Sequence, residues 1–238
     1  MASLKNTPTL PDKLHDDDWL DKHIKPLTKQ LGDLQDLLYA GKSKAVLIIL
    51  QGLDASGKDN TINKVLSEVN HSGCQVKGFK APTEEEKAHD FLWRIHKNCP
   101  ERGMIQIFNR SHYEDVLVPV VKEEITKGDL QDRYKAINQF EQMLIDNGTT
   151  IFKFFLHVGA EEQHKRIEAR LEDPAKRYKF NPNDLDVFDV RKKYLKQYDQ
   201  VFEHCNQAAE WHIIPADHKP HKNLQILKVL VKGMEKIV

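Results

Sequence analysis

The stretch AVLIILQGLDASGKD, Ala45 to Asp59, constrains this chain more than any other. A short run of apolar, β-branched residues without polar alternation is the pattern of a strand covered on both faces, as in parallel sheets flanked by helices. It ends in a glycine-bearing turn, after which Ile62, Val65, Leu66 and Val69 recur at helical spacing. A loop of the form G-x-x-x-x-G-K between such a strand and such a helix offers backbone N–H groups and a helix N-terminus to phosphate oxygens, with Lys58 as a mobile positive charge. The bland alternative is a structural turn that happens to carry lysine; the strand before the loop and the helix after it weigh against it. Gly52, Ala55, Ser56, Gly57, Lys58 and Asp59 are the candidate phosphate-binding residues.

The alternation continues downstream. QVKGF from Gln75, MIQIF from Met104, TIFKFFLHV from Thr150 and WHIIP from Trp211 read as four further strands. Helical patterns lie between them: about 83–98, two between Ser111 and Asn147, one from Ala160, one from Asp186 and one from Lys219. Five strands alternating with helices predict an α/β fold with a doubly wound parallel sheet. Upstream, 1–44 reads as an appendage to a single domain over 45–238. Asn6 to Asp18 predicts an extended arm with little to bury, and Asp16, Asp17 and Asp18 a solvated helix start rather than a metal site. After Pro26, the leucines Leu27, Leu31, Leu34 and Leu38 predict an amphipathic helix, stopping at Gly41, that packs on the core or on a partner.

Charge and cysteine content exclude some functions. The 36 basic residues balance the 36 acidic ones, so the chain lacks the basic excess of proteins that track nucleic acid, and a bound polyanion must meet a local basic channel. Cys74, Cys99 and Cys205 are odd in number and widely spaced, against a disulfide framework or structural zinc. With no apolar run of the roughly twenty residues that span a membrane and no signal-peptide pattern, the expectation is a cytoplasmic chain without membrane or nucleic-acid partners.

Two departures sharpen the phosphate-loop reading. The position after Lys58 holds Asp59, where ordinary phosphate-loop NTPases place the Ser or Thr that ligates magnesium. Asp54 lies inside the loop, where a carboxylate beside phosphates is repelled unless a divalent cation lies between them. At the end of the third strand stands FNRSHYEDV, Phe108 to Val116, which a doubly wound sheet brings to the same edge as the loop. Arg110 can fork onto phosphate oxygens and Asp115 can reach a metal held by them; a surface ion network of Arg110, Glu114 and Asp115 is the competing reading.

GLDASGKD, FKAPT from Phe79, FNRSHYEDV, the basic stretch QHKRIEARLEDPAKRYKF from Gln163 and WHIIPADHK from Trp211 together resemble the polyphosphate kinase 2 family, over nearly everything from Val46 onward. The resemblance implies a three-layer, thymidylate-kinase-like phosphate-loop kinase core with a five-stranded parallel sheet and a helical lid over about 160–185. It implies transfer of phosphate between inorganic polyphosphate and nucleoside mono- and diphosphates, dependent on Mg²⁺ or on Mn²⁺ in its place. The family's two acidic metal-site positions would fall on Asp54 and Asp115, and its lid on Arg166, Arg170, Lys176, Arg177 and Lys179. Arg110 would keep the phosphate-binding arginine. Asn109 and Glu114 give the form that resembles the subclass acting on both AMP and ADP, or GMP and GDP, and with Arg110 they are the candidate nucleotide-binding residues. Tyr194 stands where many relatives have tryptophan, which leaves base stacking open. A homo-oligomer, dimer or tetramer, is also implied.

A loose phosphoryl-transfer transition state needs alignment and charge neutralisation more than covalent help. The expected catalytic set is therefore Asp54, Lys58, Arg110, Asp115, Arg166 and Arg170. Arg166 and Arg170 could equally be one charged face of a helix shared with Glu168, Glu172 and Asp173. His89, His96 and His112 have no ligand spacing and are expected on helices or behind the site; Lys80 and Arg94 are either channel residues or solvated charges. An ATP-dependent nucleoside monophosphate kinase and a non-catalytic nucleotide sensor are the rival functions.

Overall fold

The computed structural model describes residues 3–172 and 187–238. Five parallel strands, β1 (Ala45–Gln51), β2 (Cys74–Gly78), β3 (Ile105–Asn109), β4 (Thr149–His157) and β5 (Trp211–Pro215), form one sheet in the order β2-β3-β1-β4-β5. β1 is central, and all seven of its residues are buried, because β3 and β4 flank it and helices cover both faces. The register sets Leu50 beside Asn109 and Gln51 beside Phe155, so the loops leaving β1 and β3 emerge side by side at the carboxyl edge. In such sheets that edge is where ligands gather.

Nine helices connect and cover these strands among the described residues: α1 (Asp17–Gly41), α2 (Lys58–Val65), α3 (Glu84–Lys87), α4 (Trp93–His96), α5 (Glu114–Val121), α6 (Lys127–Asp146), α7 (Ala160–Glu172), α8 (Val187–His204) and α9 (Lys219–Met234). The five strands lie within a residue of their expected places. Two expectations are corrected. Residues 83–98 hold two single turns rather than one helix: Thr83 and Glu86 close a capping box over α3, and the chain then turns at Asp90, whose carboxylate accepts from Leu92 N–H at 3.0 Å, before α4 starts without a side-chain cap of its own. The helix start expected at Asp16, Asp17 and Asp18 is there, with the Asp16 carboxylate accepting from Trp19 N–H at 2.8 Å and Trp19 stacked between His15 and His23, but α1 runs on through Pro26 to Gly41 as one helix rather than beginning after the proline. Asn6 to Asp18 bury little, as expected, since none of them is buried; just upstream, Leu4 is buried and its N–H donates to Asp199 at 2.8 Å.

The α1 leucine stripe turns inward. Leu31, Leu34 and Leu38 are buried in the main core, with Leu27 partly buried against it, where α1 packs on α9, so the stripe serves the chain's own core.

β4 carries the one charge in the middle of an apolar strand. Lys153 is 0 % exposed, and its Nζ donates to Glu141 Oε2 of α6 at 2.7 Å, to the Tyr113 hydroxyl at 3.0 Å and to the Cys205 carbonyl at 2.8 Å. The Tyr113 hydroxyl donates to Glu141 Oε1 at 2.7 Å and His112 Nε2 lies 3.2 Å from the same oxygen. Burial raises the Glu141 pKa, but His112 and Lys153 outweigh it and hold the carboxyl below its usual range. This closed network lies directly behind the segment that leaves β3, so it fixes the floor under Arg110 and Glu114.

Candidate active site

The phosphate loop is built around backbone that only particular residues tolerate. Gly52 has φ +150°, and a Cβ there would meet Ser56 Oγ at 2.7 Å and the Leu156 carbonyl at 2.8 Å. Gly57 has φ +97° and serves as N-cap of α2. Ala55, at φ 60°, and Arg110, at φ 64°, occupy the left-handed region without the freedom of glycine, the kind of strain that gathers at functional sites.

Every carbonyl from Gly52 to Gly57 is tied off by a side chain. Lys58 Nζ donates to Gly52 O at 2.8 Å and to Leu53 O at 3.2 Å. Gln163 Nε2 donates to Asp54 O at 2.9 Å, Arg166 Nη1 to Ala55 O at 3.1 Å and Ser56 O at 3.3 Å, and Lys222 Nζ to Gly57 O at 3.0 Å. In a trans peptide the N–H opposes the C=O, so tying off these oxygens turns the amides of the loop and of the first turn of α2 the other way, except that of Ser56, which donates to Leu53 O at 3.2 Å. That is an anion site assembled from backbone.

Charges converge on the same site. Arg110 Nη2 donates to Asp54 Oδ1 at 2.7 Å, and Asn109 Nδ2 to Asp59 Oδ1 at 2.9 Å. Glu114, in the first turn of α5, interacts with Arg110, Lys58 and Asp54 and is bonded to Gln51. Burial raises the Glu114 pKa despite Arg110 and Lys58, so this carboxylate is short of positive charge. Burial, then Arg110, lowers the Lys58 pKa to about 8. For Arg110 burial works against the charge, but Glu114 and Asp54 prevail and raise its pKa. Tyr194 on α8 lies within the field of Glu114 and Asp54.

Asp115 takes a different place from the one its neighbour occupies. Its carboxylate accepts from Arg94 Nη2 at 3.1 Å, and its carbonyl accepts from Arg133 Nη1 at 2.6 Å. Its raised pKa comes from burial, opposed by Arg94, Arg133 and His112; no loop residue enters. Arg94 itself is 4 % exposed and donates to Lys80 O at 2.8 Å, so it is a buried anchor rather than a solvated charge.

Arg166 stands behind the loop. Besides the two loop carbonyls, its guanidinium donates to Ala216 O at 2.8 Å, Asp217 O at 2.9 Å and Glu162 Oε1 at 2.7 Å. The Arg170 side chain and Lys176, Arg177, Tyr178 and Lys179 lie outside the described residues. His112 is buried against Glu141, His89 stacks on Trp93 and His96 meets Phe140 edge-on. Among the described residues no group of three or more His, Cys, Asp or Glu is arranged to hold a metal by itself.

Sequence reasoning missed the supports. Gln51 closes β1 fully buried, donating to Ser111 Oγ at 3.1 Å and accepting from the Tyr198 hydroxyl at 3.1 Å. Gln163 is oriented by Arg191, which also donates to Val158 O at 2.6 Å. A polar residue ending an otherwise apolar strand was the only available signal for Gln51; Gln163, Arg191 and Lys222 had none.

Comparison with known proteins agrees with this geometry. The family model described as Polyphosphate kinase 2 matches residues 14–237. An AMP/ADP-polyphosphate phosphotransferase from Meiothermus ruber is 45 % identical, with 88 % of this chain and 79 % of the relative covered. An ADP-polyphosphate phosphotransferase from Rhodopseudomonas palustris is 40 % identical, covering 90 % and 78 %. The crystal structure of Polyphosphate Kinase 2 from Arthrobacter aurescens TC1 superposes with a TM-score of 0.94 at 36 % identity, covering 99 % of this chain and 86 % of that one. A buried phosphate loop faced by Arg110 and Glu114, matched along almost the whole length, places this chain in the polyphosphate kinase 2 family.

Proposed function

We propose that this polyphosphate kinase moves the terminal phosphoryl group of inorganic polyphosphate to AMP and to ADP, reversibly, with GMP and GDP as the corresponding guanine acceptors. The observation that carries the reading is the convergence of Lys58, Arg110, Asp54 and Glu114 on a loop whose carbonyls are all tied off. The relatives named for AMP/ADP and ADP transfer support the acceptor range.

In the reaction the bond between the terminal phosphorus and its bridging oxygen breaks, and the electron pair stays on the shortened chain. An anionic oxygen of the acceptor phosphate forms the new bond. The acceptor is already a nucleophile, so no side chain has to take a proton. The loop amides and Lys58 hold the phosphate chain, and Arg110 neutralises the group in transit. Of the two neighbouring acids, we assign Glu114 with Asp54 to the metal side and Asp115 to anchoring Arg94. Asp54 and the buried Glu114 would suit a hard cation, with Asp54 also pairing with Arg110 at 2.7 Å. Bound there, Mg²⁺, or Mn²⁺ in its place, supplies charge neutralisation and alignment of the phosphate oxygens.

Three free thiols, Cys74, Cys99 and Cys205, fit a reducing, cytoplasmic setting, and no described helix is long and apolar enough to cross a membrane. Assembly into a homo-oligomer remains part of this reading on family grounds. The test is nucleotide formation by the purified protein with Mg²⁺, polyphosphate and AMP or ADP. ADP and ATP are the expected products. Transfer from ATP alone to AMP or dTMP would replace this reading with a monophosphate kinase, and nucleotide binding without turnover would replace it with a sensor.

A further inference from the structure

Beneath the phosphate loop lies a buried ammonium group. Lys222, in the first turn of α9, is 0 % exposed, and its Nζ donates to Gly57 O at 3.0 Å and to Asn60 Oδ1 at 3.4 Å. Both acceptors are neutral, and no ion pair to Lys222 is found among the described residues. The charged groups that face it are all positive: Arg166 from α7, Lys219 from α9 and Lys58 from α2. A Cβ on Gly57 would meet the ammonium at 2.8 Å, so the loop rests on Lys222 with no side chain between them.

Such a group costs stability unless an anion completes it. The Gly57 carbonyl and the Lys58 N–H belong to one peptide unit and point in opposite directions. What holds the oxygen aims the hydrogen, and here Lys222 shares that hold with Thr61, whose N–H and hydroxyl donate to the same carbonyl at 2.9 and 3.2 Å. We propose that Lys222 is a positioning residue for polyphosphate: it pins the Gly57 carbonyl, aims the Lys58 amide at a phosphate oxygen, and has its own charge completed when the phosphate chain binds above the loop. This rests on the reading of the loop as the polyphosphate grip. Burial, then Arg166, Lys219 and Lys58, lowers the Lys222 pKa to about 7, so an arriving polyanion shifts its protonation near neutral pH.

The experiment compares the wild-type protein with Lys222→Met and Lys222→Arg, measuring equilibrium binding of polyphosphate of one defined length and, separately, KM for polyphosphate and for ADP. Lys222→Met is expected to weaken polyphosphate binding at least tenfold while KM for ADP changes less than twofold, and Lys222→Arg to restore most of the loss. Between pH 6.5 and 8.5 the wild-type affinity should fall more steeply than that of Lys222→Met, which shares every other titrating group, including those of the ligand.

Circular dichroism and thermal melting establish that each variant is folded. A folded Lys222→Met with unchanged polyphosphate affinity overturns the proposal. So does a result in which both variants lose polyphosphate and ADP affinity equally as their melting temperatures fall, since that is the signature of a merely structural lysine. Binding decides this inference even if turnover fails: a wild-type protein that binds polyphosphate without transferring phosphate sinks the proposed reaction alone, and one that does not bind polyphosphate sinks both.

Discussion

The Arg94 guanidinium donates to the Asp115 carboxylate at 3.1 Å and, through its other terminal nitrogen, to the Lys80 carbonyl at 2.8 Å. Arg133 holds the Asp115 carbonyl at 2.6 Å. Asp115 is thereby bound into the wall of the site between α4 and α6. Glu114, one residue earlier and about 100° round the helix, faces Lys58 and Arg110.

The two acids should therefore fail differently. Glu114→Gln keeps the size of the side chain and removes its charge, so the metal-assisted step should slow by about a hundredfold, equivalent to about 2.7 kcal/mol of transition-state stabilisation. Asp54→Asn should act similarly. Both should also shift the Mg²⁺ dependence to higher concentration. Asp115→Asn should instead lower stability by about 2 kcal/mol, the worth of a charge-assisted bond to a buried partner, with a smaller effect on rate. Rates under saturating polyphosphate, read beside denaturant midpoints, separate the two. A hundredfold loss in a fully stable Asp115→Asn would return that residue to the metal.

Arg110 combines the side chain proposed to neutralise the transferring group with unfavourable backbone. At φ 64° any residue with a Cβ is strained, and glycine is not. Arg110→Ala and Arg110→Gly should both lose at least about tenfold in rate, since neither can neutralise the transferring group. Arg110→Gly should nevertheless be more stable than Arg110→Ala by about 1 kcal/mol. Equal stability would show that the loop relaxes out of the left-handed region when the side chain is gone.

The network around Lys153 is expected to act on stability first. Lys153→Met leaves the Glu141 carboxylate buried with only His112 and the Tyr113 hydroxyl, at a cost of about 3–5 kcal/mol. For a chain of this size that corresponds to a fall of roughly 10 °C in Tm. Adding Glu141→Leu removes the stranded charge, so the double variant should be less destabilised than the sum of the single ones. Additive losses would mean that the two groups do not act as a pair.

How much of this was legible in the sequence follows from what periodicity records. The five strands and the phosphate loop could be read because β-branched runs and glycine spacing report local backbone directly. The break at Asp90 could not, because the turn its carboxylate closes onto Leu92 N–H interrupts an apolar spacing that still reads as helical. Arg110 was expected to face the loop, and there it donates to Asp54. Sequence assigns Asp115 to the metal and Glu114 to the nucleotide, and it could not show that α5 turns Glu114 toward the loop and Asp115 toward Arg94. Arg166 had the residue type expected of a lid, but hydrogen bonds to four carbonyls place it behind the loop. Lys222 carried no signal, as a lysine in an amphipathic helix is ordinarily solvated.

The two buried lysines at the loop make the stability of the empty protein depend on pH in an unusual direction. Their folded pKa values, about 8 for Lys58 and about 7 for Lys222, lie below the value near 10.5 of a free lysine. Between about pH 7 and 10 the unfolded chain therefore binds more protons than the folded one, and stability rises with pH by up to about 1.4 kcal/mol per unit for each lysine fully deprotonated in the fold. A polyanion on the loop favours the charged lysines and raises both pKa values, so the extra stability conferred by polyphosphate should be largest near pH 7 and shrink as pH rises through 8 and 9. Urea unfolding at pH 7, 8 and 9, with and without polyphosphate, measures both slopes. Lys222→Met should remove roughly half of the rise seen without ligand. A flat profile in the wild-type protein would mean that Lys58 and Lys222 keep their charge in the empty loop, and that an anion is not needed to complete it.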